Sequence, residues 1–327
     1  MFKFLKEYVK SMRLYYSFVT GIAGWIGVAY YDYISGVSIS AINNVFSFPV
    51  KKIVILVLAF LSWGINQVIN DYLGIPEDRI NAPERPMVSG DLDPRNALIV
   101  SIILIFISSL ITLFYLQPIA IVFLFAGVLL NVLYETAKGY GILGNIVFGI
   151  MISMASLYGF YASGPVNTEG VLKQFMPILM FLWIINGLMT FYTYFKDYKG
   201  DKKTGKKTLV VLFGLRKSRV IALIAAFFPI FLFLLFKLTN TFSISINREF
   251  IILGSLVVIL QIWTGMRFYL NPVGKSTYTS LGVNFKACVC GEAALIALYN
   301  PNQAVWLFII SYGAVTILFS LYKNAKA

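Results

Sequence analysis

Apolar runs of about 20 residues, the length an α-helix needs to cross a bilayer core of about 30 Å, recur along the chain. They lie at 14–33, 53–70, 96–116, 118–134, 143–162, 174–195, 219–237, 249–270 and 303–322. These nine are expected to be membrane-spanning helices, because backbone in hydrocarbon must satisfy its own hydrogen bonds. A tenth stretch, 283–299, is shorter and carries Lys286 and Glu292; it reads either as a further span or as a re-entrant or interfacial helix. The opening MFKFLKEYVKSMR is amphipathic and lysine-bearing, with no small-residue cleavage site after a short apolar core, so no cleaved leader is expected. The expected fold is all-α, a single polytopic transmembrane helical bundle of about nine spans over residues 1–327.

Composition agrees with the pattern: 59% hydrophobic and 13% charged residues do not make a soluble surface. The excess of 27 Lys and Arg over 14 Asp and Glu then reads as membrane orientation and lipid attraction, with no nucleic acid partner implied. Seventeen basic residues fall on one side of the nine-span reading, in the N-terminus and in loops 71–95, 135–142 and 196–219. Five, Lys51, Lys52, Lys173, Lys237 and Arg248, fall on the other side up to residue 248, so the first side is expected to be cytoplasmic. The tail lysines Lys323 and Lys326 would sit outside with nine spans and inside with ten. The chain has no histidine and two cysteines, Cys288 and Cys290, which excludes histidine-based catalysis and a four-thiolate zinc site. A metal here must be held by oxygen.

Eight of the fourteen carboxylates lie in two loops of the basic side, each directly after a hydrophobic run. The first segment, NQVINDYLGIPEDRINAPERPMVSGDL at 66–92, places Asn66, Asn70 and Gly74 on one helical face with Asp71 adjacent. Pro76 is expected to end or bend that helix, leaving Glu77 and Asp78 on a loop. The second, YTYFKDYKGDKKTGKKTL at 192–209, carries Asp197 and Asp201 one turn apart. Two such oxygen-rich ends suit Mg²⁺, which prefers a few carboxylates together with water and phosphate oxygens. The interspersed cations, among them Arg79, Arg85, Lys138, Lys196, Lys199 and Lys202, suit a diphosphate.

Taken together these segments resemble the UbiA superfamily of intramembrane prenyltransferases. The matching stretches are NDYLGIPED at 70–78, RPMVSG at 85–90, YETAKGYGILGNIVFG at 134–149 and KDYKGDKKTGKKTL at 196–209, with Arg13 before the first helix as a weaker match. The resemblance implies a central cavity with a cytoplasmic-side active site, Mg²⁺ as cofactor and a prenyl diphosphate as substrate. Carried over position by position, it implies that Asp71, Asp78, Asp197 and Asp201 hold the metal and are catalytic. Arg79, Arg85, Lys138 and Lys199 would bind diphosphate, with Asn70 and Asn145 orienting it. Gly74 stands where the family pattern has its middle aspartate, and Glu77 is the nearest residue able to compensate.

An allylic cation needs aromatic faces, and Tyr134, Tyr158 and Tyr194 are the candidates for the cavity wall. Gly144, Gly149, Ser153, Ser156 and Gly159 give one helix a small-residue character that either brings neighbours close or leaves room for an isoprenoid tail. Asn186 is expected to make an interhelical hydrogen bond, and the two cysteines to pack as free thiols. The favoured activity is Mg²⁺-dependent transfer of a prenyl chain to an aromatic or lipid acceptor within the membrane. A terpene cyclase of the same fold, needing no acceptor, is the alternative. A transporter is disfavoured because the acids lie at helix ends, away from the bilayer midplane.

Overall fold

The computed structural model describes residues 2–36, 50–166, 170–241, 244–274 and 276–324. The helices are α1 (Phe2–Met12), α2 (Ser17–Ser35), α3 (Val50–Leu73), α4 (Ile75–Asn81), α5 (Pro86–Ser89), α6 (Pro94–Phe114) and α7 (Ile121–Ala137). They continue as α8 (Leu143–Ser163), α9 (Val171–Lys203), α10 (Leu209–Ala225), α11 (Phe228–Leu238), α12 (Arg248–Leu270), α13 (Ser276–Ile296) and α14 (Pro301–Asn324). A two-residue strand pair, β1 (Tyr140–Gly141) and β2 (Lys207–Thr208), runs parallel, with Tyr140 opposite Lys207 and Gly141 opposite Thr208.

Eight helical segments among the described residues are long and apolar enough to cross a membrane, α10 and α11 acting as one. Two more long helices, α2 and α13, complete the bundle. Their hydropathy is lower because they face protein: α13 is buried along almost its whole length against α2, α9, α12 and α14. Residues 283–296 of the shorter stretch are therefore part of a central helix. Its Glu292 is fully buried and accepts a hydrogen bond from Asn186 of α9 at 2.9 Å, as a carboxyl in an apolar interior requires. Cys288 and Cys290 are buried free thiols.

Among the described residues these ten long helices bring the end of α14 to the face where α1 lies. The Tyr322 hydroxyl at the end of α14 donates to the Val9 carbonyl at 3.4 Å and accepts from the Leu14 amide at 3.3 Å. Lys326 and the side chain of Lys323 lie outside the described residues.

The small residues on α8 bring helices together. A Cβ at Gly159 would strike the Gly24 carbonyl of α2, and one at Gly27 would strike the Ser156 carbonyl, so the backbones of α2 and α8 meet without side chains between them. Around this centre the exposed faces of α6 and α7 present Ile102, Phe106, Phe125 and Leu129, as a lipid-facing shell would. On the N-terminal face the ends of α3, α7 and α9 converge with α4, and both acidic segments are carried there.

Candidate active site

On α3, Trp63, Gln67 and Asp71 stack one turn apart. The Trp63 indole donates to Gln67 Oε1 at 3.1 Å, and Gln67 Nε2 donates to Asp71 Oδ1 at 2.9 Å. Asp71, 2% exposed, is also paired with Arg13 and lies 3.4 Å from Arg85. Arg13 sits at φ 47° between α1 and α2, a left-handed conformation costly for a residue that carries a Cβ; the ion pair fixes it there. Beyond Leu73 the chain does not become a loop. Gly74 caps a new helix, α4, in whose first turn Pro76 is tolerated because no amide is needed at that position. Glu77 and Asp78 are therefore helical and buried. Asp78 pairs with Arg85; burial pushes its carboxyl above the usual range, against the pull of the guanidinium.

The second segment continues α9 to Lys203, so Asp197 and Asp201 share its inner face. Lys196 pairs with Asp197 at 2.6 Å, while Lys138 from the end of α7 lies 3.9 Å from Asp197 and 3.1 Å from the fully buried Asp201. Burial alone would lower the Lys138 pKa, but Asp197, Asp201 and Glu135 outweigh it and hold the ammonium charged. One side chain ties the two segments together. Asn81 Nδ2 of α4 donates to the Asp197 carbonyl at 3.2 Å, and the Gly200 amide donates to Asn81 Oδ1 at 2.8 Å.

These groups surround a cavity of about 680 Å³ whose wall includes Asn70, Asp71, Asp78, Arg85, Lys138 and Asp197. Its aromatic side is a continuous series: Tyr16 stacks on Trp63 at 5.1 Å, Trp63 meets Phe148 edge-on at 5.0 Å, and Phe148 meets Tyr134 at 5.3 Å. Glu77, Glu135, Arg13 and Lys196 also line it. Arg13 and Lys196 are thus the cations on this wall besides Arg85 and Lys138.

Several expected residues stand elsewhere. Arg79 and Lys199 are exposed and off the wall. On α4 the inner face is set by Asp78 and Asn81, three apart, which turns Arg79 outward; on α9 it is set by Asp197 and Asp201, which places Lys199 on the far side. Asp201 lies behind the wall, paired to Lys138. Asn145 donates to the Gly187 carbonyl at 2.9 Å and serves helix packing. Tyr194 is buried beneath Lys138, whose ammonium lies 5.9 Å from its ring centre. Tyr158 bonds Thr112 at 2.9 Å and lines a separate apolar cavity of about 710 Å³, which shares Trp63 with the polar one. Gln67, Asn81, Glu135 and Lys206 stand inside the acidic and matching segments without being acidic-motif positions; of the four, only Gln67 is marked by local spacing, one turn from both Trp63 and Asp71.

Among the described residues no three carboxylates converge as a ready-made metal cage. Asp71 Oδ2, Glu77 Oε2 and Asn70 Oδ1 are nonetheless buried oxygens with no hydrogen-bond partner. Asn70 Oδ1 and Glu77 Oε2, beside the wall carboxylates Asp78 and Asp197, make a donor set that fits an Mg²⁺ bringing phosphate oxygens and water with it. A third cavity, about 750 Å³, lies on the other side of Arg13, Asp71, Arg85 and Lys196, which it shares; Lys10, Tyr15, Tyr278 and Tyr322 are among its remaining walls.

The sequence pattern of the UbiA prenyltransferase family matches residues 33–286. The digeranylgeranylglyceryl phosphate synthase of Thermococcus gammatolerans is 29% identical over 228 residues, 69% of this chain and 75% of that protein. A UbiA homolog from Aeropyrum pernix, solved in its apo form, superposes with a TM-score of 0.68 at 14% identity, covering 86% of this chain and 97% of that one. A UbiA homolog from Archaeoglobus fulgidus, solved with DMAPP and Mg²⁺, gives 0.59 at 14% identity, covering 89% and 99%.

Proposed function

The chain belongs to the UbiA prenyltransferase family, and we propose that, with Mg²⁺, it moves an isoprenoid chain from a prenyl diphosphate to the hydroxyl of a phosphate-bearing glycerolipid. The observation that carries this reading is the pair of cavities divided by Arg13, Asp71, Arg85 and Lys196. One is ringed by carboxylates and cations; the other adds Lys10 and three tyrosines. The product named for the Thermococcus relative supports a phosphate-bearing acceptor, in place of an aromatic one. The DMAPP and Mg²⁺ bound to the Archaeoglobus homolog support the donor and the ion. The excess of basic residues on the active face supports a cytoplasmic site.

In this reading Asp78 and Asp197 face the diphosphate from opposite walls and, with Asn70, would hold the ion. When bound, Mg²⁺ neutralises phosphate oxygens and improves the leaving group. Arg85, Lys138 and Lys196 take the remaining diphosphate charge, and Asp201 keeps Lys138 charged and in place. As the carbon–oxygen bond breaks, the allylic cation lies along Tyr16, Trp63, Phe148 and Tyr134, whose faces each contribute about 0.5–2 kcal/mol. The chain itself extends past Trp63 into the apolar cavity. The acceptor hydroxyl enters from the basic cavity and gives its proton to Asp71, whose Oδ2 is open while Oδ1 is fixed by Arg13 and Gln67.

The test is product analysis by mass spectrometry after incubating detergent-purified protein with geranylgeranyl diphosphate and Mg²⁺, with and without geranylgeranylglyceryl phosphate. An ether product that needs the acceptor supports the reading. Diphosphate release without acceptor, giving a cyclic hydrocarbon or terpene alcohol, would replace transfer with cyclisation.

A further inference from the structure

Gly74 occupies the position at which the first acidic segment lacks a carboxylate, and its backbone does not demand glycine: φ is −94° and ψ 11°. A Cβ there would meet the Asn70 carbonyl at 3.0 Å, then Glu135 Oε1 at 3.8 Å and Asp78 Oδ2 at 3.9 Å. A carboxylate from another helix thus lies where the side chain of residue 74 would point. Glu135, from the last turn of α7, lines the polar cavity together with Glu77.

Both glutamates are held from behind by Lys206, which is not on the cavity wall. Its ammonium pairs with Glu135 and lies 3.2 Å from Glu77 Oε1. The lysine is placed by backbone: Gly205 turns in the left-handed region, the Lys206 amide donates to the Asp201 carbonyl at 2.8 Å, and β2 pairs with β1 just beyond α7. Glu77 is 9% exposed, and its second oxygen, Oε2, is buried with no partner. A pinned carboxylate pair with an orphaned oxygen on the wall of the polar cavity has the chemistry of a divalent-cation donor.

We propose that Glu135, positioned by Lys206 and assisted by Glu77, supplies from α7 the metal-directed carboxylate that Gly74 does not. The inference rests on the Mg²⁺ reading given above. It makes the metal donor set of this chain draw on α3, α4, α7 and α9, with Lys206 beyond α9 holding the glutamates in place.

The test uses Mn²⁺ as probe, titrated into the purified full-length protein with and without geranylgeranyl thiodiphosphate, the free ion being counted by electron paramagnetic resonance. Glu135→Gln should weaken Mn²⁺ binding about 10-fold or more, and Lys206→Met less, on the order of 3-fold to 10-fold, as loss of a supporting contact does. Gly74→Asp in the Glu135→Gln background should restore affinity to within about 3-fold of the parent, whereas Gly74→Asp alone should not improve it, because the new carboxylate faces Glu135 and Asp78. Glu135→Asp, which keeps the charge but withdraws the oxygen by one methylene, should lie between the parent and Glu135→Gln, and serves if the latter does not fold. Unchanged Mn²⁺ affinity in Glu135→Gln, or a loss that Gly74→Asp does not repair, overturns the inference. Asp197→Asn separates the two levels: if it abolishes Mn²⁺ binding while Glu135→Gln does not, only the role of Glu135 fails. If the parent binds no Mn²⁺ even with the thiodiphosphate, both fail.

Discussion

Asp71→Asn is the sharpest perturbation of the buried ion-pair network, because it separates what Asp71 contributes to stability from what it contributes to turnover. Asp71 is 2% exposed, and the Arg13 side chain that pairs with it is 12% exposed. Removing one partner of a buried pair costs about 3–5 kcal/mol, since the other charge is left uncompensated. Some of that is recovered here, because Arg85 still has Asp78 and the substituted side-chain amide can still accept from Gln67; about 2–4 kcal/mol of destabilisation is the expected figure. Replacing both partners, Arg13→Met with Asp71→Leu, removes the charge problem and leaves the Gln67 amide without an acceptor, a cost of about 1–2 kcal/mol. The double variant should therefore be more stable than Asp71→Asn while remaining inactive, with turnover at least about 100-fold below the parent in both. Stability is read from the thermal unfolding midpoint in detergent, and turnover from diphosphate release. A double variant no more stable than the single one would refute the buried-pair account; turnover in it within about 10-fold of the parent would refute the role of Asp71 as proton acceptor.

Three further outcomes are expected. Lys138→Met leaves Asp201 buried without its cation, so the protein should lose about 3–5 kcal/mol of stability and its diphosphate release; an unfolding midpoint equal to the parent's would contradict that pairing. Asn81→Ala removes two hydrogen bonds joining α4 to α9, each worth about 0.5–1.5 kcal/mol, and should reduce kcat about 10-fold or more through misplacement of the two acidic segments. Steady-state kinetics that match the parent would show that the segments are held apart from Asn81. Arg79→Ala and Lys199→Ala, both exposed and off the cavity wall, should leave KM for the prenyl diphosphate within about 2-fold; a 10-fold rise for either would return it to the diphosphate site.

The helical spans were legible because apolar length is a local property, and the two acidic segments were legible because each is contiguous. Asp71, Asp78 and Asp197 could be found on those grounds, as could the helical continuation through Asp201. The direction of each side chain was a different matter. Arg79 and Lys199 have the same local credentials as Arg85 and Lys196; the rotation of α4 and α9 about their axes, fixed by Asn81 and by packing against neighbouring helices, turns Arg79 and Lys199 out and Lys196 in, while Arg85 stands beyond α4 at the start of α5. The α13 segment was ambiguous for a related reason. Its Glu292 looked expensive for lipid, and it is, but the helix touches protein on every side and Asn186 comes from 106 residues away in the chain.

By itself the sequence determined that this is a helical membrane protein with two carboxylate-rich helix ends on one face, since hydrophobic length and short-range spacing act within one or two turns. Only the tertiary structure decided which cations face those carboxylates, that Glu135 and Lys206 gather beside Gly74, and that Asn81 locks the two ends together. The physical reason is that contacts such as Arg13 to Asp71 and Gly200 to Asn81 join residues 58 and 119 apart in the chain, and their geometry follows from how whole helices pack, which no local pattern of residues records.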